Sequence, residues 1–457
     1  MVRLFNIYCP KRLLVLILGE SLIVCSSFVL AAVLRLGSSS LLALTYEQGF
    51  YKILGITALV LIFLNFFDLY DLSRVPSGGD SYKRLLVVMG LLSCFLAGLG
   101  YLFPGFMLRK DSFLFGLLIL TVGLLGWRSC YAWLIRQPYL RERVCVLGTG
   151  YLANCLVENL RSRPELGMDM VGWLGAIDNG SMSRENLESS ILDRVRGSKI
   201  DRVIIALGDR RGVMPTRALL GLRLSGVKVD DATSILERIS GKIEVDGLYP
   251  SWLIFSDGFR LNPTNVVGRR AFSVIASIVC LLVLLPIMPL IALLIKLSSP
   301  GPVIYRQRRI GRDGRVFTCY KFRTMQEDAE ASGAMWADED DPRATTVGRA
   351  LRRMRLDEIP QLWNVLRGDM ALVGPRPERI EFVEWLGTNI PYYYVRHVIC
   401  PGITGWAQVC YRYGASLEDS KEKLKYDLYY IKNMSLFFDL AIILRSIKIV
   451  VLGRGAR

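Results

Sequence analysis

The chain has 457 residues, of which 52% are hydrophobic, and a mean hydropathy of +0.35, which excludes an ordinary soluble globule and points to a membrane. The net charge of +16 comes with no RNP-like or helix-turn-helix pattern, so it reads as attraction to anionic headgroups and phosphorylated substrates, with no nucleic acid partner. Ten cysteines stand singly without a CxxC pair, beside one histidine, His397, which argues against a zinc site or a disulfide framework and leaves reduced thiols.

The opening MVRLFNIYCPKRLLVL runs into an apolar stretch that continues past Leu30 with no good small-residue cleavage site, so it reads as a retained anchor. Four apolar segments follow one another, Leu13–Leu34, Tyr51–Phe67, Leu85–Phe103 and Phe113–Trp127, each near the length a helix needs to cross a bilayer. Lys11 and Arg12 precede the first, Arg74, Lys83 and Arg84 lie between the second and third, and Arg128, Arg136, Arg141 and Arg143 follow the fourth. The opposite side carries fewer, with Arg35, Lys52, Arg109 and Lys110, so both ends of this bundle are expected in the cytoplasm.

Residues 143–260 read as a soluble α/β unit. RVCVLGTGYLANCLVENL is a buried strand, a glycine turn and a helix, and MVGWLGAID, KIDRVIIAL and VKVDDATS supply further strands. The turn Gly148-Thr149-Gly150-Tyr151-Leu152-Ala153 has the GxGxxA form that lets backbone amides approach a pyrophosphate, with Asp178 farther along than a ribose-binding acid usually stands. A tight strand-to-helix turn without a ligand accounts for the glycines equally well.

The fifth apolar segment, Ala271–Leu297, holds Pro286 and Pro289 in its interior, where each removes a helical hydrogen bond. Arg269 and Arg270 precede it, and Lys296, Arg306, Arg308 and Arg309 follow. Basic residues at both ends favour a helix that enters the cytoplasmic leaflet, bends at the prolines and returns; an ordinary fifth span is the alternative. Residues 435–452, SLFFDLAIILRSIKIVVL, are interrupted by charges and suit an amphipathic helix on the membrane or on the domain. The acidic stretch Glu327–Pro342 reads as a loop, either covering a substrate or simply solvated.

Within LDEIPQLWNVLRGDMALVGPRP, residues 356–377, Asp357 and Glu358 stand before Pro360, which begins a helix expected to run to about Arg367 and end at Gly368. Carboxylates at the positive end of a helix dipole tend to stay ionised, as a nucleophile or a magnesium ligand must be; two acids there also serve as plain caps. The cations change the balance: Arg352, Arg353 and Arg355 lie just upstream, Lys321 and Arg323 occur in YKFRTM, and Arg376 sits between two prolines. Carboxylates with a metal, ringed by cations, suit phosphoryl chemistry; the arginines would also suit lipid headgroups.

Three blocks, SSPGPVIYRQRRIGRDGRVFTCYKFRTM, LDEIPQLWNVLRGDMALVGPRP and YYYVRHVICPGITGWAQV, together resemble the bacterial sugar transferase family, the monotopic polyprenyl-phosphate hexose-1-phosphate transferases (phosphoglycosyl transferases). The likeness runs from about Arg269 to the C-terminus, and the whole layout is similar to long members that initiate exopolysaccharide or O-antigen synthesis, among them exopolysaccharide transferases of the EpsB type. The resemblance implies Asp357 as nucleophile toward a UDP-sugar, release of UMP, and transfer of the sugar phosphate to undecaprenyl phosphate, with Mg²⁺ as cofactor. Asp357 and Glu358 would be the metal's ligands, Glu358 otherwise a base toward the acceptor phosphate; Arg352 would bind phosphate or the acceptor, and Arg376, with Lys321 and Arg323, would bind substrate phosphate. Glucose or galactose is the family's default sugar, and N-acetylated sugars remain open. One departure is Ser273 where the family has an aspartate shortly after the basic start of the membrane helix.

The expected fold is therefore a membrane protein, an α-helical bundle plus α/β. It has four transmembrane helices (1–140), a Rossmann-like cytoplasmic domain (141–262), a re-entrant membrane helix (263–300) and a small interfacial α/β catalytic domain (301–457). The implied location is the bacterial inner (cytoplasmic) membrane, with the catalytic domain facing the cytoplasm. Implied partners are membrane lipids and downstream glycosyltransferases, and the middle unit suits a homodimer. Two rivals stand against this. A membrane-anchored nucleotide-sugar dehydratase needs Tyr-x-x-x-Lys, and no tyrosine here has lysine four residues later. A non-catalytic scaffold of a polysaccharide assembly complex would tolerate loss of Asp357.

Overall fold

The computed structural model describes residues 2–4, 7–37, 40, 45–46, 48–70, 79–103, 110–174, 197, 199–207, 214–246, 248, 250–256, 258–260, 262–326, 341–411, 414 and 416–452. Arg74, Arg109, Asp178 and most of the acidic stretch, residues 327–340, lie outside them. The chain divides into two compact units, essentially residues 8–231 and 232–457.

The chain opens with two short strands, β1 (Val2–Leu4) and β2 (Ile7–Cys9), and the first unit then has four long helices: α1 (Lys11–Leu36), α2 (Gly49–Phe66), α3 (Gly79–Leu102) and α4 (Lys110–Arg136). All four are long and apolar enough to cross a membrane. They share one apolar cluster that includes Val24 and Phe28, Ile56 and Val60, Leu92 and Leu96, and Leu120 and Leu124. Leu18, Leu22, Leu54, Leu114 and Leu118 stay exposed, as lipid-facing positions do. Arg128 is not the basic flank the sequence suggested. It is buried inside the bundle, where Nη2 reaches Glu20 Oε1 at 2.7 Å and Nε donates to the same oxygen at 2.8 Å, binding α1 to α4.

The same unit carries a four-stranded, wholly parallel sheet of β3 (Glu142–Leu147), β4 (Met168–Leu174), β5 (Arg202–Ile205) and β6 (Lys228–Asp231), in the order β4-β3-β5-β6. Helix α5 (Tyr151–Ser162) follows β3 and α6 (Thr216–Leu224) precedes β6. Val144, Cys145, Val146 and Leu147 are all buried, the unbroken apolar run expected of a parallel strand covered on both faces. Gly148 has φ +121°, and a Cβ there would lie 2.5 Å from the Ala206 carbonyl oxygen, so close backbone approach demands glycine. The Trp173 indole N–H donates to the Gly148 carbonyl at 2.8 Å.

The second unit opens with α7 (Ala232–Ser240) and α8 (Pro250–Phe255). Helix α7 and the turn after it are tied to the C-terminal helices α14 (Trp406–Cys410) and α15 (Leu417–Asn433) and so belong to this unit. Lys432 pairs with Glu237 at 2.7 Å, Lys425 pairs with Glu244 at 2.7 Å, and the Trp406 indole donates to Gly241 O at 2.7 Å. These contacts are long in sequence, and no local pattern announces them.

Two helices then replace the fifth apolar segment. The first, α9 (Pro263–Leu284), starts eight residues before the apolar run itself, capped by the Asn262 side chain, which accepts from Thr264 N. The second, α10 (Met288–Ser298), begins after a break at residues 285–287 that contains Pro286, and holds Pro289 in its first turn, where no helical hydrogen bond is lost. Of these, α9 is the fifth helix among the described residues long and apolar enough to span. Leu281 and Leu284 of α9 and Met288, Ile291 and Ile295 of α10 pack on one cluster with Phe322, Leu351, Ile359 and Leu362. Beyond lie the antiparallel hairpin β7 (Ile304–Ile310) and β8 (Val316–Phe322), α11 (Thr346–Arg353), α12 (Gln361–Arg367), and the parallel pair β9 (Ala371–Val373) and β10 (Gly402–Thr404). Between the last two comes α13 (Ile380–Asn389). Finally α16 (Leu436–Val451) buries Phe438, Asp439 and Ile442 while Phe437, Leu440, Leu444 and Ile447 remain exposed, so one face packs on the unit and the other is an apolar stripe.

Nine cysteines, those from Cys25 to Cys410, are free. Removing one member of the Glu20–Arg128 pair leaves a buried charge uncompensated, so Glu20→Ala is expected to destabilise the bundle by about 3–5 kcal/mol. Glu20→Met combined with Arg128→Met should recover most of that loss in thermal unfolding of the detergent-held protein. A double variant no more stable than Glu20→Ala would show that shape, and not charge pairing, holds α1 to α4.

Candidate active site

The acid pair does not cap α12. Asp357 and Glu358 lie in a single 3₁₀ turn, Leu356–Glu358, that precedes it, and Ile359 is itself in the right-handed helical region. Local preference before a proline is overridden here by the turn's packing, with Ile359 and Leu362 in the apolar cluster. Helix α12 then runs to Arg367 and ends at Gly368, as expected. Arg355, just before the turn, holds a left-handed φ of +53°, a conformation costly for a residue with a Cβ and common where backbone is held for function.

One buried amide fixes this turn against the hairpin. Asn364, fully buried on α12, donates from Nδ2 to Thr318 O at 2.7 Å and accepts from Tyr320 N at 3.1 Å, mimicking a strand neighbour for β8. That register delivers Lys321, the next residue on β8, to Glu358.

The two carboxylates differ sharply. Glu358 is 6% exposed, and its Oε1 accepts from Lys321 Nζ at 3.3 Å and Arg376 Nη2 at 3.1 Å while Arg355 lies 3.7 Å from Oε2. Burial works against its charge, yet Arg376, Lys321 and Arg355 outweigh burial and hold it well below the usual carboxylate range. Asp357, 8% exposed, has no hydrogen bond to its carboxylate from any described residue. Burial and the neighbouring Glu358 charge push it above its ordinary value, with Lys321, Arg376 and Arg352 opposing them. The dipole reasoning from sequence treated both acids alike; their surroundings separate them, lowering Glu358 and raising Asp357 from their ordinary values.

The cations sort by position. Lys321 and Arg376 converge on Glu358, and Arg352 acts on Asp357 through space while donating from Nε to Thr324 Oγ1 at 3.0 Å. Arg323 goes elsewhere: its Nη2 donates to Ser299 at the end of α10, at 2.7 Å to the carbonyl and 2.9 Å to the hydroxyl. The backbone of Arg376 is steadied by Arg396, which donates to Arg376 O at 3.0 Å and pairs with buried Asp427 at 3.0 Å. Sequence reasoning did not single out Arg396, Asn364 or Gln361, and it used Arg309 only as a basic flank of the fifth apolar segment. Arg309 and Gln361 line a cavity of about 10 Å³ with Lys321, Arg376 and Cys319, room for about one water-sized group. Gln361 Nε2 is buried there without a partner. Nothing in the spacing of these residues marks them, because their meeting depends on the β8–α12 contact.

The arrangement combines a clamped anion, an unclamped carboxylate and a cationic surround. Residues 264–453, which contain all of it, match the sequence profile of the family described as bacterial sugar transferase. A UDP-glucose:undecaprenyl-phosphate glucose-1-phosphate transferase of Escherichia coli is 33% identical over 398 residues, 83% of this chain and 84% of that protein. This chain belongs to the bacterial sugar transferase family.

Other relatives of this transferase differ in length and in sugar. A UDP-N-acetylgalactosamine-undecaprenyl-phosphate N-acetylgalactosaminephosphotransferase of Aeromonas hydrophila is 40% identical over 241 residues, 53% of this chain; the match spans 56% of that relative's length. The exopolysaccharide production protein ExoY of Sinorhizobium fredii is 36% identical over 211 residues, 43% of this chain and 91% of its own length.

Because Asn364 satisfies a strand N–H and C=O that nothing else replaces, Asn364→Leu should leave both unpaired at a cost of about 1–3 kcal/mol each. A clear drop in the thermal unfolding midpoint of the sugar transferase is expected, larger than for Asn364→Asp. An unchanged midpoint would mean that the β8–α12 register is held by its apolar contacts alone.

Proposed function

We propose that this chain transfers a hexose 1-phosphate from a UDP-sugar to undecaprenyl phosphate, releasing UMP, as the initiating step of exopolysaccharide or O-antigen synthesis. The observation that carries this is the asymmetry of the acid pair. Glu358 is committed to three cations, whereas the Asp357 carboxylate takes no hydrogen bond from any described residue, is raised in basicity and is set beside the same positive charge. A basic, unengaged carboxylate among cations is suited to attack phosphorus in an anionic substrate.

In the first displacement an Asp357 oxygen bonds to the β-phosphorus of the donor as the bond from that phosphorus to the α–β bridging oxygen breaks. UMP leaves with the electron pair, and an aspartyl phosphosugar remains. In the second, an oxygen of undecaprenyl phosphate attacks the same phosphorus, the aspartyl P–O bond breaks, and the carboxylate is restored. Lys321, Arg376 and Arg352 offset the negative charge that gathers at phosphorus in both steps. Splitting the transfer means that soluble donor and membrane-borne acceptor never need to be bound together.

Mg²⁺ suits the donor set. Asp357 and Glu358 are adjacent hard oxygen donors, and among the described residues no cluster of three or more acidic, histidine or cysteine side chains could enclose a metal. Mg²⁺ characteristically takes one or two carboxylates and completes its shell with substrate phosphate oxygens and water. Held by Asp357 and Glu358, it would withdraw charge from the diphosphate.

We place the catalytic unit on the cytoplasmic face of the bacterial inner membrane, with α9 and α10 as a re-entrant pair. Both ends of that pair are tied to the same folded unit, which supports a return to one side. At the start of α9, Arg269 pairs with Asp439 at 2.6 Å and Arg270 donates to Leu366 O at 3.0 Å; at the end of α10, Ser299 is held by Arg323. The Arg269–Asp439 pair also anchors this helix where Ser273 replaces the family's aspartate.

Purified protein in nanodiscs, given Mg²⁺, undecaprenyl phosphate and separately UDP-glucose, UDP-galactose and their N-acetylated counterparts, is expected to release UMP with one of them. Release of UDP would overturn the mechanism, and no nucleotide from any donor would favour the scaffold. Asp357→Asn should lower turnover at least about a thousandfold while the protein still inserts and folds.

The pH dependence follows from the Asp357 environment. A raised carboxyl pKa means that activity rises as pH climbs through it, so the acid limb of kcat/KM for the donor in acceptor-free UMP release, taken at limiting Mg²⁺ so that the metal-free enzyme titrates, should lie above the ordinary aspartate value of 3.8. Lys321 lowers that pKa, so Lys321→Met should move the limb to higher pH. A limb that stays put or moves down would mean another group titrates.

A further inference from the structure

Where α10 leaves the apolar segment, the fold forms a groove of about 620 Å³, within the range of small-ligand sites. Its walls include Ser298, Ser299, Gln326, Thr346 and Arg349, so hydroxyls, an amide and a guanidinium line it. Arg349 makes only long contacts, 3.4 Å to Ala344 O and 3.5 Å to Thr346 Oγ1, and no described carboxylate pairs with it. Arg323, bonded to the groove residue Ser299, is 6% exposed, and its Nε and Nη1 have no partner among the described residues. A buried guanidinium with two donors and no counter-ion among the described residues is costly unless an anion arrives to meet it.

Two features say which anion. On one side, Leu290, Leu293, Leu294 and Leu297 of α10 are exposed and form an apolar approach that ends at Ser298, as a hydrocarbon tail would require. On the other, Arg349 stands one helical turn before Arg352 on α11, and Arg352 acts on Asp357. A phosphate in the groove would thus have apolar surface behind it and a cation leading toward the reacting carboxylate.

We propose that this groove is the docking subsite for the phosphate monoester of the lipid acceptor, with Arg349, Thr346 and Ser298 at its surface and Arg323 beneath. The assignment rests on the transferase activity proposed above. The shared chemistry is a phosphate group, and the other source of one is the diphosphate of the donor nucleotide.

The test separates the two sources, using full-length protein in nanodiscs with UDP-sugar and undecaprenyl phosphate as probes. UMP released in a single turnover without acceptor reports the donor step, and the KM for undecaprenyl phosphate in steady state reports the acceptor. Arg349→Ala is expected to raise the acceptor KM about tenfold, the loss of one charge-assisted contact, while the acceptor-free burst keeps its size and rate. Arg349→Lys should recover part of the loss. Arg323→Gln should behave like Arg349→Ala in protein whose unfolding midpoint is unchanged; if it does not fold, Thr346→Val provides the second variant.

A smaller or slower burst, or a raised donor KM, would assign the groove to the nucleotide and overturn the proposal. Unchanged values for both substrates would overturn it as a ligand site of either kind. A wild-type protein that releases no UMP from any donor would instead remove the underlying activity, an outcome distinct from both.

Discussion

Glu358 is a buried anion that three cations make tolerable, and much of the second unit is arranged around keeping those cations in place. Lys321 arrives on β8, Arg376 from the segment after β9, and Arg355 from a left-handed residue next to the acid turn itself. Each comes from a different element, so the site exists only when the hairpin, α12 and the β9–β10 pair are assembled. The consequence falls on Asp357. Its neighbour's fixed negative charge and its own burial raise its basicity, while the surrounding cations limit the effect. A reactive carboxylate is thereby produced by the treatment of the residue beside it.

Positioning is carried by groups that never touch the acids. Asn364 completes the hydrogen bonding of β8 and so sets the height of Lys321 against Glu358. Arg396, neutralised by Asp427, holds the carbonyl of Arg376. Close packing of β9 against β10 leaves no room for a side chain at Gly402, where a Cβ would lie 2.1 Å from Gly374 N. Loss of any of these would be felt as misplacement of charge, because Coulombic terms at 3–4 Å in a dry site change steeply with geometry.

The membrane helices enter the same economy of contacts. Leu281 and Leu284 on one side of the proline break, and Met288, Ile291 and Ile295 on the other, pack on the cluster that holds Ile359, two residues from Asp357. The apolar segment is therefore part of the core beneath the acid turn as well as an anchor. This gives a physical reason for the interfacial placement proposed for the chemistry: the turn cannot be moved away from the helix pair without emptying its own core.

Much could be read directly from the sequence. Apolar runs of the right length, the proline break, the strand and helix of the glycine turn, the short helix from Pro360 to Gly368 and the family-like blocks are all local signals, and local signals survive in a linear string. The limits were equally physical. Asp357's raised basicity could not be read from a helix dipole, since desolvation and the fate of Glu358 depend on residues 18 to 37 positions away. Arg128 looked like a membrane flank until its pairing with Glu20, 108 residues earlier, placed it inside. Arg323 looked equivalent to Lys321 two residues before it, yet tertiary packing sends it to Ser299. Sequence alone determined which elements form and which residue types carry the chemistry; the tertiary structure decided which charges meet, because electrostatic partnership is a matter of distance and burial that only the folded chain defines.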